Sequence, residues 1–123
     1  MNELTEAKRA EYRAGAARRR AQAEERRLRH LTRAREVAVA AATLLRTTYH
    51  ATEIMLFGST AHPERFHERS DVDLIAWGID ERAYVRAVAD VNGLDSYMFV
   101  DLVRGEEASP RLLAVVAEEG SAL

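Results

Sequence analysis

Residues 53–77 read EIMLFGSTAHPERFHERSDVDLIAW, and this stretch decides the fold. Its first part, 53–57, is a short apolar run closed by Gly58, which predicts a buried strand. Its last part, 71–77, alternates and then becomes apolar, so it predicts a second strand. The segment between them, 62–70, is charged and is typical of a loop. The stretch therefore predicts two strands of one sheet, connected through a turn at Gly58 and a polar loop.

The sequence on either side of this stretch supplies helices and a third strand. Residues 6–48 contain no proline and one glycine and are rich in helix formers, which predicts one long helix whose second half is amphipathic. A helix over 80–90, a strand over 97–103 and a final helix opened by Ser109-Pro110 are predicted to follow. The aromatic residues expected to pack in the sheet are Trp77, Tyr97 and Phe99. The predicted fold class is α/β (α+β), a small mixed sheet flanked by helices, with a long N-terminal helix.

Charge divides the chain into a basic arm and an acidic body. Residues 1–36 carry eleven Lys and Arg against six Asp and Glu, and residues 37–123 carry seven against fourteen. A net charge of +5 therefore precedes one of −7, and we predict a basic helical arm over 1–34 and a globular domain over 35–123. The arm is a solvated helix end, a surface for a partner protein or an RNA-binding segment. The acidic body argues against direct nucleic-acid binding.

Composition excludes several classes of function. The 123 residues include no cysteine, which removes disulfides, thiolate metal sites and cysteine nucleophiles. No apolar stretch approaches the roughly 20 residues that span a bilayer, and the N-terminus lacks the apolar segment of a signal peptide. We therefore expect a cytoplasmic protein without membrane contact.

Gly58 and Ser59 form the first element of a candidate site. Glycine lets the backbone approach a ligand closely, and the N–H groups at a helix start favour phosphate. Ser59 is expected to cap a short helical turn. The pair alone is far more typical of an ordinary turn.

Three aspartates form the second element. Asp71 and Asp73 are two residues apart, so on a strand both carboxylates point to one face, and a divalent cation such as Mg²⁺ would relieve their repulsion. A frayed strand start with Asp71 in a turn is the alternative. Asp101 lies within the third apolar strand, where an unpaired carboxylate would be costly. If the strands are neighbours, three carboxylates meet, which is the number needed to hold two metal ions.

The order and spacing of these residues resemble the minimal nucleotidyltransferases, the MNT branch of the DNA polymerase β-like superfamily. The resemblance covers about residues 35–123. The matching segments are Leu56-Phe57-Gly58-Ser59, Arg65-Phe66-His67, Ser70-Asp71-Val72-Asp73-Leu74, Val100-Asp101-Leu102-Val103 and Glu118-Glu119-Gly120. The resemblance implies that Gly58 and Ser59 contact nucleotide phosphates and that Asp71 and Asp73 hold Mg²⁺. It also implies that Asp101 completes the metal site and assists deprotonation of the acceptor hydroxyl.

The chain departs from the family pattern in two places. Eleven residues separate Ser59 from Asp71, where members usually have ten. Ala61-His62-Pro63 stands where members commonly have Ala-Arg-Gly, which removes a basic group near the phosphates. Arg65 and Arg69 are the candidates to replace that group.

The resemblance implies an enzyme with a protein substrate. It would use Mg²⁺, two ions being expected, and ATP or another nucleoside triphosphate. It would move a nucleoside monophosphate onto a hydroxyl of a helical HEPN-class toxin, bound in part through the N-terminal helix, and so act as the antitoxin. Two alternatives remain: a non-catalytic module that neutralises its partner by contact, and a nucleotidyltransferase for a small molecule or RNA.

Overall fold

A four-stranded mixed sheet and three α-helices form the part of the chain that the computed structural model describes, residues 5–123. In chain order the elements are α1 (Glu6–Tyr49), β1 (Glu53–Phe57), β2 (Val72–Trp77), α2 (Tyr84–Asn92), β3 (Val100–Arg104), α3 (Pro110–Glu119) and β4 (Ser121–Ala122). The predicted fold class is confirmed. Residues 1–4, which begin the predicted basic arm, lie outside the described residues. No helix among residues 5–123 is long and apolar enough to cross a membrane.

The sheet has the strand order β3-β2-β1-β4. Strand β1 is antiparallel to both β2 and β4, whereas β2 and β3 are parallel. Leu56, Leu74 and Leu102 are paired across three strands, and all three are buried on the face that packs against α1 and α2. Because successive side chains alternate, Phe57, paired with Asp73, lies on the opposite face.

Helix α1 is one continuous helix of 44 residues, about 66 Å long at 1.5 Å per residue. The Thr5 side chain caps its start by accepting the backbone N–H of Lys8 (3.1 Å). His50 ends it in the left-handed conformation. Gly15 lies within the helix and does not interrupt it. Side chains of α1 enter the hydrophobic core from Leu31 onward, and side chains within residues 26–30 contact the loop between β1 and β2.

The third strand begins later than predicted. It starts at Val100, because the Asp95 carboxylate accepts the backbone N–H groups of Tyr97 (2.8 Å) and Met98 (3.0 Å) and holds this segment in a turn. Tyr97 is 94% exposed and Phe99 54% exposed, so the prediction that these two rings pack in the sheet was wrong. This local hydrogen bonding outweighs the strand propensity of the aromatic residues.

One further prediction needs correction, and one strand was missed. Ser59 is not the cap of the short helical turn Ser59–Ala61; the cap position belongs to Gly58, and no side chain caps this turn. Strand β4 was not predicted, because two residues carry no periodic signal. It pairs with Met55 and Leu56 of β1.

Side chains of α2 close the outer edge of β3. The Asn92 amide donates to the carbonyl of Val100 and accepts its N–H, both at 2.9 Å, as a neighbouring strand would. The hydroxyl of Tyr84 donates to the carbonyl of Leu102. These bonds satisfy backbone groups that would otherwise be open to another strand.

We predict that Asn92→Ala lowers the free energy of unfolding by about 1–3 kcal/mol, because it leaves the N–H and carbonyl of the buried Val100 without partners. Asn92→Asp keeps the acceptor and loses the donor, so its loss should be smaller. Urea unfolding of both variants measures this. Equal stability of Asn92→Ala and the parent protein would show that these bonds are not needed.

Candidate active site

Three strands bring the predicted site residues to one end of the sheet. Gly58 directly follows β1, and Phe57 before it pairs with Asp73 of β2. Asp73 in turn pairs with Asp101 of the parallel strand β3. Neighbouring strands lie about 4.8 Å apart, so the two aspartates are adjacent and on the same face. Asp71 is the residue immediately before β2, and its side chain is exposed.

Gly58 lies directly against the Asp73 carboxylate. Its φ is +71°, a conformation that side-chain-bearing residues rarely adopt. A Cβ atom built on Gly58 would lie 2.3 Å from Oδ2 of Asp73. The glycine therefore allows the backbone to turn sharply and to pass close to this carboxylate.

The surroundings of the Asp73 carboxylate raise its pKa. Burial raises its pKa to about 6, and the negative charges of Asp101 and Asp71 add to the effect. The three carboxylates therefore interact across the edge of the sheet. Asp101 and Asp71 are themselves exposed, so the cluster opens to solvent.

The carboxylates of this cluster suit a hard divalent cation whose remaining ligands come from a bound substrate and water. Its donors are all carboxylate oxygens, and a cation would offset the repulsion that raises the pKa of Asp73. Among residues 5–123, however, no group of three or more His, Asp or Glu side chains is arranged to hold a metal ion by itself. Mg²⁺ binds through one or two carboxylates and takes its remaining ligands from water and substrate phosphates. Asp73 and Asp101 suit this mode of binding.

Thr60 is a site residue that the sequence did not reveal. It is fully buried, and its hydroxyl donates to the carbonyl of Asp71 at 2.9 Å. This bond fixes the turn Ser59–Ala61 to the start of β2. Within the described part of the chain the neighbouring Ser59 hydroxyl has no hydrogen-bond partner, so it is available to a ligand. A buried hydroxyl at this position gives no signal in the sequence.

Helix α1 positions the loop between β1 and β2. Nη1 of Arg27 donates to the carbonyls of Pro63 (2.7 Å) and Phe66 (3.3 Å), while its Nε and Nη2 donate to the Glu24 carboxylate. The Phe66 side chain is buried beneath the loop, with its ring centroid 5.4 Å from that of His30. The loop is thus held by contacts with residues far away in sequence.

The two arginines proposed for the phosphates have different surroundings. Arg65 donates to Glu119 at the end of α3 (3.1 and 3.5 Å), on the β4 side of the sheet and away from β3. Arg69 is exposed, and its guanidinium has no acidic partner among residues 5–123. Arg65 is therefore engaged by Glu119, whereas the Arg69 guanidinium carries no such ion pair within the described residues.

We predict that Gly58→Ala disrupts the site, because a methyl group there would collide with Asp73 and the backbone would be strained. The expected loss of stability is about 1–3 kcal/mol. Gly93→Ala is a matched control, since Gly93 has a negative φ and its added Cβ would lie at least 3.4 Å from its neighbours. Thermal unfolding of the two variants measures the difference. A Gly58→Ala protein as stable as Gly93→Ala would contradict the close contact.

The chain is similar to several solved structures. No protein-family model matches the chain, and no curated protein matches it. Among solved structures, the chain matches the toxin–antitoxin MntA-HpeT, in a mutant form, at 26% identity over 68% of each chain with a TM-score of 0.55. It matches a toxin–antitoxin structure with AMP-PNP at 27% identity and a TM-score of 0.56, covering 66% of this chain and 67% of the other. The chain has the fold of the MNT nucleotidyltransferase antitoxins.

A third structure agrees with this nucleotidyltransferase fold. It is a tri-AMPylated Shewanella oneidensis HEPN toxin in complex with an MNT antitoxin, matched at 23% identity and a TM-score of 0.55 over 72% of this chain and 69% of the other. At this identity the match concerns the fold alone. The first two structures confirm, at the level of the fold, the resemblance to minimal nucleotidyltransferases that the Gly-Ser and Asp-x-Asp pattern predicted.

Proposed function

We propose that this protein is a Mg²⁺-dependent nucleotidyltransferase that moves AMP from ATP onto a hydroxyl of a HEPN-class toxin and so acts as its antitoxin. The observation that carries the proposal is the placement of Asp73 against both Gly58 and Asp101 at one end of the sheet. In this arrangement the backbone at Gly58 can approach phosphates closely, and the paired carboxylates that would bind a cation lie beside it.

Each site residue has a separate role in the proposed reaction. Gly58 and the Ser59 hydroxyl receive the phosphates, and Arg69 supplies positive charge beside them. Asp71, Asp73 and Asp101 would hold the metal together with the substrate phosphates, and the metal would neutralise charge on those phosphates and activate the acceptor hydroxyl. Asp101 takes the proton of that hydroxyl, and the oxygen of the hydroxyl forms a bond to the α-phosphorus of ATP. The bond between the α- and β-phosphates breaks, and pyrophosphate leaves.

The partner and the nucleotide are proposed from the similar structures. One of these is a toxin–antitoxin pair with AMP-PNP, and another contains a HEPN toxin that carries three AMP groups. The present chain shares with them the fold that positions the strand ends. An adenine nucleotide and a HEPN toxin are therefore the first ligands to test.

Intact-mass spectrometry of the toxin tests the proposal. The purified protein is incubated with a HEPN-class toxin, ATP and Mg²⁺. The toxin mass should rise by whole AMP moieties, and Asp101→Asn should prevent the rise. If the toxin is neutralised with no change in mass, the protein acts by contact alone and the proposed chemistry is wrong.

A further inference from the structure

Two exposed aromatic side chains lie beside the carboxylates of the candidate site. Among residues 5–123, the exposed tyrosine and phenylalanine side chains are Tyr12 of α1, Tyr97 and Phe99. Tyr97 is 94% exposed and Phe99 54% exposed, and both lie just before β3, the strand that carries Asp101. Aromatic side chains gain much from burial, so an exposed pair next to a reaction site is a candidate contact surface. None of the roles proposed for the site residues uses these two rings.

The register of the sheet places the Phe99 ring on the same face as the carboxylates. The Phe99 carbonyl accepts the N–H of Val72 (3.0 Å), which continues the parallel pairing of β2 and β3 and sets Phe99 opposite Asp71. Phe99 and Asp101 are exposed, and the side chains that alternate with them are buried in the core: Met98, Val100 and Leu102. Because successive side chains of an extended segment point to opposite faces, Phe99 and Asp101 share the face away from the core.

The start of β3 is the open side of this face. Helix α3 ends at the opposite edge of the sheet, where Glu119 pairs with Arg65 and is followed by β4. In the proposed function the phosphates lie at Gly58, directly after β1, and the carboxylates lie on β2 and β3. The acceptor oxygen attacks in line from the side opposite the leaving pyrophosphate, which is the side of β3. The Phe99 ring therefore lies on the side from which the acceptor approaches.

The segment that carries the two rings is held in place by the body of the protein. The Asp95 carboxylate accepts the backbone N–H groups of Tyr97 (2.8 Å) and Met98 (3.0 Å), and Arg33 of α1 pairs with it at 2.6 Å. The Met98 side chain is buried, and the backbone of Phe99 is bound to β2. A fixed backbone loses little conformational freedom on binding, and aromatic side chains have few rotatable bonds. The rings are therefore presented in a form suited to binding.

We propose that Phe99 binds the acceptor protein, with the apolar part of the segment that carries the acceptor hydroxyl packed on its ring and with Tyr97 extending the contact. The inference rests on the proposed function and specifies a residue that its acceptor contacts. Asp101 follows Phe99 by two residues, about 6.6 Å along the strand, so a side chain that packs on the ring can present its hydroxyl to Asp101.

Binding of a HEPN-class toxin without nucleotide, and binding of ATP with Mg²⁺ without toxin, test the proposal. Phe99→Ala should raise the Kd for the toxin about tenfold and Tyr97→Ala several-fold, whereas the Kd for ATP should stay within about twofold. Phe99→Leu keeps an apolar side chain and should restore part of the affinity for the toxin. Val85→Ala is the matched control: it shortens an apolar side chain on α2 that is 79% exposed, and both Kd values should stay unchanged.

With toxin, ATP and Mg²⁺ all present, Phe99→Ala should raise the KM for the toxin and leave kcat within a few-fold. A higher Kd for ATP with an unchanged affinity for the toxin would assign the ring to the adenine base and overturn the proposed contact. Unchanged affinity for both ligands, or no binding of the toxin to the parent protein, would also overturn it. If Phe99→Ala weakens toxin binding but even the parent protein transfers no AMP, the contact stands and the proposed function fails.

Discussion

Asp73→Asn should abolish nucleotide transfer and, at the same time, make the ligand-free protein more stable above pH 6. The Asp73 carboxylate is half-buried beside two like charges, and burial with these charges raises its pKa to about 6. Asparagine has nearly the same shape and carries no charge, so it removes the repulsion and the cost of burying an ion. It also removes a ligand for Mg²⁺. Transfer should fall by about 10³-fold or more.

The raised pKa of Asp73 determines how the stability of the folded protein changes with pH. Because the pKa of Asp73 is higher in the folded protein than the ordinary 3.8, the folded state holds its proton more tightly than the unfolded state. The resulting stability is fully present below pH 4 and is lost as the pH rises through 6. The parent protein should therefore lose stability over this range, whereas Asp73→Asn should lose less. After allowance for solvent screening, the difference above pH 6 is on the order of 1 kcal/mol, or a Tm shift of about 3–6 °C.

Thermal unfolding at pH 4.5 and 7.5, with and without Mg²⁺ and ATP, measures both effects. The parent protein should gain stability from Mg²⁺ and ATP together and little from Mg²⁺ alone, since phosphates complete the metal site. The double variant Asp71→Asn, Asp73→Asn should show no gain and equal or higher ligand-free stability. Glu53→Gln, an exposed carboxylate at the far end of β1, should behave as the parent protein. A double variant that is less stable without ligand would show that the aspartates are structural.

Local patterns in the sequence predict most of the elements of this fold. Helix α1 and strands β1 and β2 follow from composition and periodicity, and Ser109 caps α3 as expected by accepting the N–H of Leu112. The acidic pattern predicted that Asp73 and Asp101 would meet, and their pairing places them side by side. These features depend on residues close together in the chain or on the two-residue period of a strand.

Long-range contacts of single side chains could not be predicted. The sequence does not show that Arg27 would hold the loop at Pro63, or that Thr60 would bind the carbonyl of Asp71. It also favoured a strand at Tyr97, where the Asp95 carboxylate holds a turn instead. In each case one hydrogen bond to the backbone decides the local geometry, and the pattern of residue types is the same with or without it.

The N-terminal half of α1, residues 6–25, forms few contacts with the body. Its residues are exposed apart from Gly15 and Ala16, and the ion pair of Lys8 with Glu11 at 4.0 Å lies within the helix. The first side chains to reach the body are Arg26, which pairs with Glu68 (3.2 Å), and Arg27. The predicted division at residue 34 therefore stays a proposal, and the contacts of α1 with the loop between β1 and β2 that are described above begin at Arg26.

Removal of residues 1–22 should leave folding and nucleotide binding intact and weaken binding of the toxin about tenfold at low salt. The deleted segment holds six Lys and Arg against three Asp and Glu, and electrostatic attraction of this kind acts mainly on the encounter of two proteins. The difference between truncated and full-length protein should therefore shrink as salt rises and screens the charges. Because the cut precedes Arg26, the contacts of Arg26 and Arg27 with the loop between β1 and β2 are kept.

Binding kinetics at two salt concentrations, together with the Tm of each protein, measure this effect. A full-length variant in which Arg18, Arg19 and Arg20 are replaced by glutamine should reproduce most of the loss, because it keeps the helix and removes charge. If truncation instead unfolds the protein, residues 1–22 pack on the body, and the prediction that they act by attracting the toxin is wrong. If truncation changes nothing even at low salt, this part of α1 is only a solvated helix end, and the toxin is recognised by the body alone.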